Sequence, residues 1–297
     1  MKLGKSIRIY LKEGSINDIK LAELLNLTIQ ALSCPRDKIF ELNLSFQNQI
    51  NKQGVYFLIG NDDSTGKLKV YIGEAENVWE RIKNHATGKD FWTELILITS
   101  KDDNITKSHI KYLESRLVDI TKNADRYILE NSNIPTLTSL PLPDRDAMEE
   151  FILNIKLLNG IFGHKFLEKQ LPSKNNTLDE LSNKTDVSEE RSLVFNSKSI
   201  KANAIQTDEG IVVLTGSQVS AAESVNYGYK TLREELILDG TISKNSLGNL
   251  IFNKDHLFNS PSAAAAVIVG YSINGRRNWK NKEGKTLDEI EKSKIAQ

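Results

Sequence analysis

The stretch that decides the fold of the first half of the chain is GVYFLIGNDDSTGKLKVYIG, residues 54–73. Two apolar runs flank a polar turn that contains Gly66, and this pattern predicts a β-hairpin. Because successive side chains of a strand point to opposite faces, Tyr56 and Tyr71 are expected on one face. The other face is expected to be apolar and to enter a core, through Val55, Phe57, Ile59, Val70 and Ile72. The hairpin thus predicts a sheet surface that carries two phenols.

The segment NVWERIKNHATG, residues 77–88, has the pattern of a short helix that follows the hairpin. Asn77 is suited to cap its first turn. Arg81 and His85 are four residues apart, so both side chains can reach one point beside the sheet. Taken alone, an arginine and a histidine at this spacing are more often a solvated helix edge, and a strand tyrosine more often simply packs its ring.

A carboxylate borders the apolar side of the next predicted helix, SHIKYLESRLVDI at residues 108–120. Glu114 lies within the turns of a buried stripe that is formed by Ile110, Leu113, Leu117 and Ile120. An ionised carboxylate at such a position costs several kcal/mol unless a cation or hydrogen bonds compensate it. The structural alternative is an ion pair with Arg81, and the functional one is a bound metal ion.

Two phenols, a guanidinium and a carboxylate suit the hydrolysis of a phosphodiester, because its transition state concentrates negative charge on the phosphate oxygens. The carboxylate would hold a divalent cation and the arginine would neutralise the phosphoryl oxygens. A phenol would position or deprotonate the attacking water. Convergence of these groups on one sheet face would therefore form an active site.

The order GVY, YIG, Arg81 and Glu114 resembles that of the GIY-YIG nuclease superfamily over about residues 53–135. Both half-motifs on paired strands, a helix arginine and a later helix glutamate carry the resemblance together. Two features depart from the family: Val55 replaces isoleucine, and the loop between the half-motifs is longer than usual. The resemblance implies an α/β (α+β) fold, with a small mixed or antiparallel three-stranded sheet flanked by helices.

The resemblance also implies roles for individual residues. Tyr56 and Tyr71 would be the active-site tyrosines, Arg81 would bind the scissile phosphate, and His85 matches a histidine present in part of the family. Glu114 would be the single metal-ligating carboxylate. The implied cofactor is a divalent cation, Mg²⁺ or Mn²⁺, whose other ligands are water and phosphate oxygens.

The general base stays open between two groups. Tyr56 could take a proton from water if nearby positive charge lowers its pKa, whereas His85 competes because an imidazole needs less help near neutral pH. The family also places a substrate-binding asparagine after the glutamate helix. The segment ADRYILENSN, residues 124–133, offers Asn131 for this role, with Asn123 and Asn133 as alternatives.

The composition of the whole chain limits the classes of function. Its 297 residues predict two or three domains, and its 39 basic and 39 acidic side chains balance, so any nucleic-acid site must be local. Cys34 is the only cysteine, which excludes an internal disulfide and a cysteine-based zinc site within one chain. No signal-peptide core and no membrane-spanning apolar run is found, which predicts a soluble, cytoplasmic protein without a membrane partner.

The chain is expected to divide into four parts. Residues 1–52 are read as a β-rich N-terminal extension, and residues 53–168 as the hairpin unit with a trailing helix, PDRDAMEEFILNIKLL. Residues 169–197 are polar and charge-mixed, which suits a flexible linker. Residues 198–297 are expected to form a separate small α/β domain, in which proline starts the helix of SPSAAAAVIVG.

The end of this last domain combines basic and aromatic residues in FNSPSAAAAVIVGYSINGRRNWK, namely Arg276, Arg277, Trp279 and Lys280. Phosphate contacts and a stacking ring would make a nucleic-acid surface. A solvated basic turn beside a core tryptophan is an equal alternative. The segment resembles an uncharacterised C-terminal module of bacterial GIY-YIG proteins and, more distantly, a domain associated with restriction enzymes and adenine methylases, which implies target recognition.

The sequence therefore predicts a metal-dependent endonuclease that hydrolyses phosphodiester bonds in nucleic acid, with DNA as the preferred substrate. Residues 53–135 would cut and residues 198–290 would help to choose the target. A non-catalytic nucleic-acid-binding or regulatory protein on the same fold is the alternative, kept open by the neutral net charge and the long hairpin loop.

Overall fold

The computed structural model describes residues 3–133, 135–169, 191–197 and 200–295 of the chain. It separates into two compact units, Met1–Lys169 and Gln170–Gln297. Each unit has its own sheet and its own core, and the fold is mixed α and β, as the sequence predicts. Within the described residues, no helix combines the length and the apolar composition that crossing a membrane requires.

The N-terminal unit is built on a seven-stranded sheet with the strand order β1-β2-β3-β6-β4-β5-β7. All neighbouring strands are antiparallel except β5 and β7, which are parallel. The strands are β1 (Ile7–Leu11), β2 (Lys20–Leu24), β3 (Ile29–Pro35), β4 (Gly54–Asn61), β5 (Leu68–Ala75), β6 (Trp92–Ser100) and β7 (Ile128–Leu129).

Five α-helices and one 3₁₀ turn cover this sheet. They are the 3₁₀ turn Arg36–Lys38, α1 (Ile39–Ser45), α2 (Gln47–Ile50), α3 (Val78–Gly88), α4 (Lys107–Ala124) and α5 (Leu142–Ile161). One face of the sheet packs on α4 and α5, and its core includes Val55, Phe57 and Ile72. The other face packs on α1, α2 and α3, and its core includes Tyr56 and Leu58.

The sheet is larger than the three strands that the sequence predicts. The first 52 residues do not form a separate layer, because β3 pairs with β6 along its whole length, from Ile29 opposite Ser100 to Pro35 opposite Glu94. Strands β1 and β2 then continue the same sheet outward. The trailing helix α5 also begins earlier than expected, with Pro141 as its N-cap residue.

The C-terminal unit has a five-stranded antiparallel sheet of order β13-β10-β9-β8-β14 and a separate pair, β11 with β12. Its strands are β8 (Ser192–Ser197), β9 (Ile200–Thr207), β10 (Gly210–Val213), β11 (Ile242–Lys244), β12 (Leu250–Phe252), β13 (His256–Phe258) and β14 (Trp279–Lys280). Its helices are α6 (Lys230–Leu238), α7 (Pro261–Val269), α8 (Gly275–Asn278) and α9 (Leu287–Ile295). The expected linker, residues 169–197, lies mostly outside the described residues, and its last six residues form β8 instead.

Helix α7 forms the centre of the second core, and proline starts it, as the sequence predicts. The Ser260 side chain accepts a hydrogen bond from the Ala263 N–H at 3.1 Å, and Pro261 occupies the first turn, where no N–H is needed. Gly270 ends the helix with a φ of 78°, a left-handed conformation that glycine adopts without strain. All residues from Ala263 to Val269 are buried.

Candidate active site

The hairpin of β4 and β5 places the two phenols side by side. Tyr56 lies opposite Gly73 and Leu58 lies opposite Tyr71, so both tyrosines occupy the face that packs on α3. The ring centroids of Tyr56 and Tyr71 are 6.2 Å apart, with the rings tilted by 40°. The polar turn that joins the strands is closed by Asp62, whose carboxylate accepts from the Thr65 N–H at 2.9 Å.

Two glycines of the hairpin leave room for neighbouring groups. A methyl group at Gly73 would overlap the hydroxyl and the ring carbon Cζ of Tyr56. A methyl group at Gly54 would overlap the backbone oxygen of Ile98 on β6. Both glycines are therefore required by packing, because β4 lies between β6 on one side and β5 on the other.

Helix α3 brings an arginine and a histidine onto the phenols. The Asn77 side chain caps the helix by accepting from the Glu80 N–H at 3.1 Å, as the sequence predicts. The Oη atom of Tyr56 lies 2.8 Å from Nε2 of His85, within hydrogen-bond distance. The His85 ring lies 5.2 Å from the Tyr71 ring, and the Arg81 guanidinium interacts with both phenols.

The pKa values of the cluster depart from the sequence prediction at Tyr56. Burial raises the pKa of the Tyr56 phenol and the Tyr71 phenol adds to this, while the Arg81 guanidinium lowers it by less. The prediction of a lowered Tyr56 pKa is therefore wrong, because desolvation exceeds the effect of positive charge. Burial, Arg81 and Lys89 lower the pKa of His85 to about 4, so this imidazole is neutral at neutral pH.

Exposure separates the groups that a substrate can reach from those behind them. Tyr56 is fully buried, with 0% of its surface exposed. Tyr71 and His85 are half-buried and Arg81 is exposed. A bound molecule would therefore touch Arg81, Tyr71 and His85. The buried Tyr56 would be reached only through its hydrogen-bond contact with His85.

Glu114 on α4 approaches the same end of β5 from the other side of the sheet. It is half-buried, and its carboxylate accepts a hydrogen bond from the backbone N–H of Glu74. Burial and the negative charge of Glu74 raise the pKa of Glu114 to about 7, although Arg81 and Lys111 pull it down. No ion pair of Glu114 is found among the described side chains, so the alternative of a structural ion pair with Arg81 is not what forms.

Asn131 closes the outer edge of β5 next to Glu114. Strand β7 pairs with β5 only at the start of that strand, and it leaves Ile72 without a strand partner on this side. The Asn131 side chain takes that place: Nδ2 donates to the Ile72 oxygen at 2.7 Å and Oδ1 accepts from the Ile72 N–H at 3.0 Å. Asn131 thus holds the edge of β5, and its role in substrate binding stays a prediction.

The two alternative asparagines are placed elsewhere. The Asn123 amide donates to the backbone oxygen of Asp119 at 2.9 Å and to its carboxylate at 3.0 Å, on the surface of α4. Asn133 is exposed. Of the three candidates, Asn131 is therefore the one that contacts the YIG strand.

A cleft of about 500 Å³ opens beside Arg81, where the end of β5 meets the first turns of α3 and α4. Acidic and basic side chains alternate around it, and its lining consists of Glu74, Ala75, Glu76, Asn77, Glu80, Arg81, Lys107 and Lys111. Lys107 pairs with Glu76 across the cleft. Glu74 and Lys111 line the cleft, and their charges also affect the pKa of Glu114, so the Glu114 carboxylate lies close to the cleft.

The surroundings of Glu114 fit a cation that is held mainly by other ligands. Within the described ranges, no group of three or more His, Cys, Asp or Glu side chains could hold a metal ion alone. Mg²⁺ is usually bound by one or two carboxylates together with water and phosphate. Glu114 matches this pattern, because its carboxylate is partly desolvated and a second carboxylate, Glu74, stands beside it.

The basic segment of the C-terminal unit does not offer a stacking ring. Trp279 is fully buried against Phe195, and its indole N–H donates to the Pro261 oxygen at 3.1 Å. Arg276 is engaged with acidic side chains of α9, at 3.4 Å from Asp288 and also with Glu291. Arg277 and Lys280 are exposed. The stacking role predicted for Trp279 is wrong, and the alternative of a basic turn beside a core tryptophan is what the structure has.

Two residues near the cluster were missed by the sequence reasoning. Glu74 follows the YIG tripeptide directly, and Lys89 lies one turn beyond His85. The spacing of Arg81, His85 and Lys89, four residues each, was a usable signal that all three share one side of α3. For Glu74 no pattern was available, because its effect on Glu114 depends on how α4 packs against β5.

Comparison with known proteins bears on the C-terminal unit. Residues 193–291 match a family described as a domain of unknown function (DUF4357). This range starts in β8 and ends in α9, so it coincides with the second fold. No curated protein and no solved structure matches the chain. The C-terminal unit therefore contains an uncharacterised module, and this match does not extend to the cluster around Arg81.

Proposed function

We propose that the N-terminal unit is a metal-dependent nuclease that hydrolyses phosphodiester bonds in nucleic acid, with DNA as substrate. The observation that carries the proposal is the environment of Glu114, a half-buried carboxylate beside a second carboxylate and an arginine. A divalent cation would remove the unfavourable proximity of Glu114 and Glu74, and a phosphate would be attracted by Arg81. The adjoining Tyr56 and His85 add a hydrogen-bonded acid–base pair.

The resemblance to GIY-YIG nucleases supports the same assignment. The tyrosines of GVY and YIG are cross-strand neighbours, and the helix arginine interacts with both phenols. Glu114 would hold the divalent cation, Mg²⁺ or Mn²⁺, which when bound supplies charge stabilisation at the phosphate. Arg81, as an exposed guanidinium, would neutralise the phosphoryl oxygens.

We take His85 as the general base, because one of its two tautomers leaves a ring nitrogen free to accept a proton. A phenol has one proton and two lone pairs, and the Tyr56 oxygen interacts with Arg81, Tyr71 and His85. Arg81 can only donate, and in the His85 tautomer whose Nε2–H donates to Tyr56, the Tyr56 proton would point to Tyr71. Nδ1 of His85 then keeps its lone pair and can accept the proton of the attacking water.

Substrate binding would strengthen this base. The positive charges of Arg81 and Lys89 help to hold the pKa of His85 at about 4. A phosphate bound beside these cations would offset their charge, so the pKa of His85 would rise toward its ordinary range as the site fills. The imidazole would thus be neutral before binding and more basic once the phosphate is in place.

The C-terminal unit would contribute target recognition. Its match to an uncharacterised module and its separate core support a division of labour between the units. Its exposed basic residues, Arg277 and Lys280, could contact phosphates, although Trp279 cannot stack on a base from inside the core.

The test is cleavage of supercoiled plasmid DNA by the full chain in Mg²⁺ or Mn²⁺. Glu114→Gln and Arg81→Gln are expected to lower the rate by about 10²–10³-fold or more, the usual effect of removing a group that stabilises transition-state charge. Glu80→Gln is the matched control, because Glu80 also lines the cleft but pairs with Lys83 at 2.8 Å.

Full activity in both variants would remove the catalytic assignment. DNA binding without cleavage in either metal, with supercoiled, linear and single-stranded substrates, would favour the alternative of a non-catalytic nucleic-acid-binding protein. Circular dichroism of each variant shows whether a loss of activity reflects a loss of fold.

A further inference from the structure

Lys89 lies against the phenol that the site exposes. Its Nζ atom is 4.4 Å from the centroid of the Tyr71 ring, and its backbone N–H donates to the His85 oxygen at 3.1 Å, at the end of α3. The backbone hydrogen bond at one end and the cation–π contact at the other therefore hold the Lys89 side chain over the Tyr71 ring. Lys89 is half-buried, so its charge is only partly solvated.

The charge of Lys89 is not matched by an acidic group in the described parts of the chain. Several other lysines of this unit are paired, among them Lys83 with Glu80 at 2.8 Å and Lys69 with Asp62 at 3.1 Å, whereas Lys89 shares its unpaired state among the described residues with Lys111 of the cleft. A cation–π contact and the end of a helix both favour a lysine here. Neither contact neutralises the ammonium group, which stays available to an anion.

Lys89 and Arg81 act on different parts of the same side chain. Arg81 interacts with the hydroxyl end of Tyr71, whereas Lys89 lies over the face of the ring. Burial lowers the pKa of His85 most, and Arg81 and Lys89 lower it further, which indicates that both positive charges lie close to this imidazole. The carboxylates of Glu74, Glu76 and Glu80 line the cleft beside Arg81, and Lys89 is not part of that lining.

We propose that Lys89 binds a second, non-scissile phosphate of the substrate, next to the phosphate that Arg81 takes. This inference rests on the proposed function and deepens it, because it assigns the substrate class: a polynucleotide strand with consecutive phosphates, not an isolated phosphodiester. Lys89 also covers the face of Tyr71 on which a base would otherwise stack, so recognition at this point is through the backbone and is independent of sequence.

The experiment measures binding of a fluorescein-labelled 20-base-pair DNA duplex to the full chain by fluorescence anisotropy, in EDTA and at several salt concentrations. Lys89→Gln is expected to weaken binding and to lower the slope of log K against log salt by about 1, which is the loss of one phosphate contact. Lys89→Arg is expected to keep the wild-type slope. The matched control is Lys83→Gln, on the same helix, whose charge is already paired with Glu80.

A purely structural role would change the melting temperature of Lys89→Gln but not its salt slope. An unchanged slope, or no binding of the duplex by the wild-type protein, would overturn the inference. In Mg²⁺, the second phosphate predicts a raised KM and a kcat within about twofold of the wild-type value. A loss in kcat as large as the rise in KM would indicate that Lys89 binds the scissile phosphate, and this result would also overturn the inference.

The two hypotheses fail in different ways. Lys89-dependent binding without any cleavage in Mg²⁺ or Mn²⁺ would refute the proposed nuclease activity and leave the phosphate contact in place. Normal cleavage with a Lys89-independent slope would refute the contact and leave the nuclease activity in place.

Discussion

At the scale of single residues, Gly73 determines whether the two phenols can occupy one face. A side chain at this position would overlap the buried Tyr56 hydroxyl, which cannot move into solvent. Gly73→Ala is therefore expected to destabilise the protein by about 1–3 kcal/mol, the usual cost of overpacking. Urea unfolding of the N-terminal unit measures this.

A control for that substitution lies on α3. Gly88→Ala adds the same methyl group where no atom lies within 4 Å and where the backbone is helical, so it should be neutral or slightly stabilising. Equal stability of the two variants would contradict the packing role of Gly73.

Glu74 is expected to control the pH at which the site binds a cation. Its charge helps to raise the pKa of Glu114 to about 7, and a divalent cation binds only the ionised carboxylate. The acid limb of Mg²⁺-dependent cleavage should therefore lie near pH 7. Glu74→Gln removes one negative charge and should move this limb to lower pH by about 0.5–1 unit, the scale of one neighbouring charge.

The control for the pH profile is Glu76→Gln. Glu76 lines the same cleft but pairs with Lys107 and is not a cause of the Glu114 shift. It should leave the acid limb unchanged. An acid limb that does not move in Glu74→Gln would show that the two carboxylates do not interact in solution.

Glu114 and His85 should affect stability with opposite signs. Because the folded protein raises the pKa of Glu114 from 4.5 to about 7, the stability that this group contributes is present below pH 4.5 and is lost as the pH rises to 7. The folded protein lowers the pKa of His85 from 6.5 to about 4, so its contribution is present above pH 6.5 and is lost as the pH falls. The two effects largely cancel in the wild-type protein.

Comparing the wild-type protein with a variant that lacks one of the two groups isolates the contribution of that group. The difference in free energy of unfolding between Glu114→Gln and the wild-type protein should grow in favour of the variant from pH 4.5 to 7. We expect about 1–2 kcal/mol after allowing for the solvent exposure of Glu114. Urea titrations at several pH values, without metal, measure this difference, and a constant difference would contradict the raised pKa.

At the scale of secondary structure elements, the exposed edge of β5 is completed by side chains. Asn131 pairs with both polar backbone groups of Ile72, and Glu114 accepts from the next outward N–H, that of Glu74. Asn131→Ala should therefore cost about 1–3 kcal/mol, since two partly buried backbone groups lose their partner. Faster hydrogen exchange of the Ile72 amide is the specific measurement, and the exposed Asn133→Ala serves as control.

The sequence predicted these elements well where the signal comes from residues that are close together in the chain. The alternation in residues 54–73 fixes which side chains share a face, and Asn77 caps its helix as expected. The contact of Asn131 with Ile72 could not be predicted from the sequence. That contact exists because β7 is only two residues long and leaves the edge uncovered.

At the scale of the whole molecule, the sequence predicted two folded parts but not the extent of the first. Residues 1–52 join the seven-stranded sheet through β3 and β6, which are far apart in the chain, and such long-range pairing has no local signature. Burial of Tyr56 and Trp279 has the same origin, since tertiary packing decides it. The raised pKa of Tyr56 follows from that burial, which explains why the expected direction was wrong.

The central claim is that Glu114 and Arg81 bind a cation and a phosphate side by side at the end of β5. The most direct test is a crystal structure of the full chain, carrying His85→Ala to prevent cleavage, with Mn²⁺ and a DNA duplex. The account predicts an anomalous difference peak about 2.1 Å from a Glu114 carboxylate oxygen and a DNA phosphate in contact with Arg81. A peak elsewhere, or a phosphate bound away from Arg81, would contradict it.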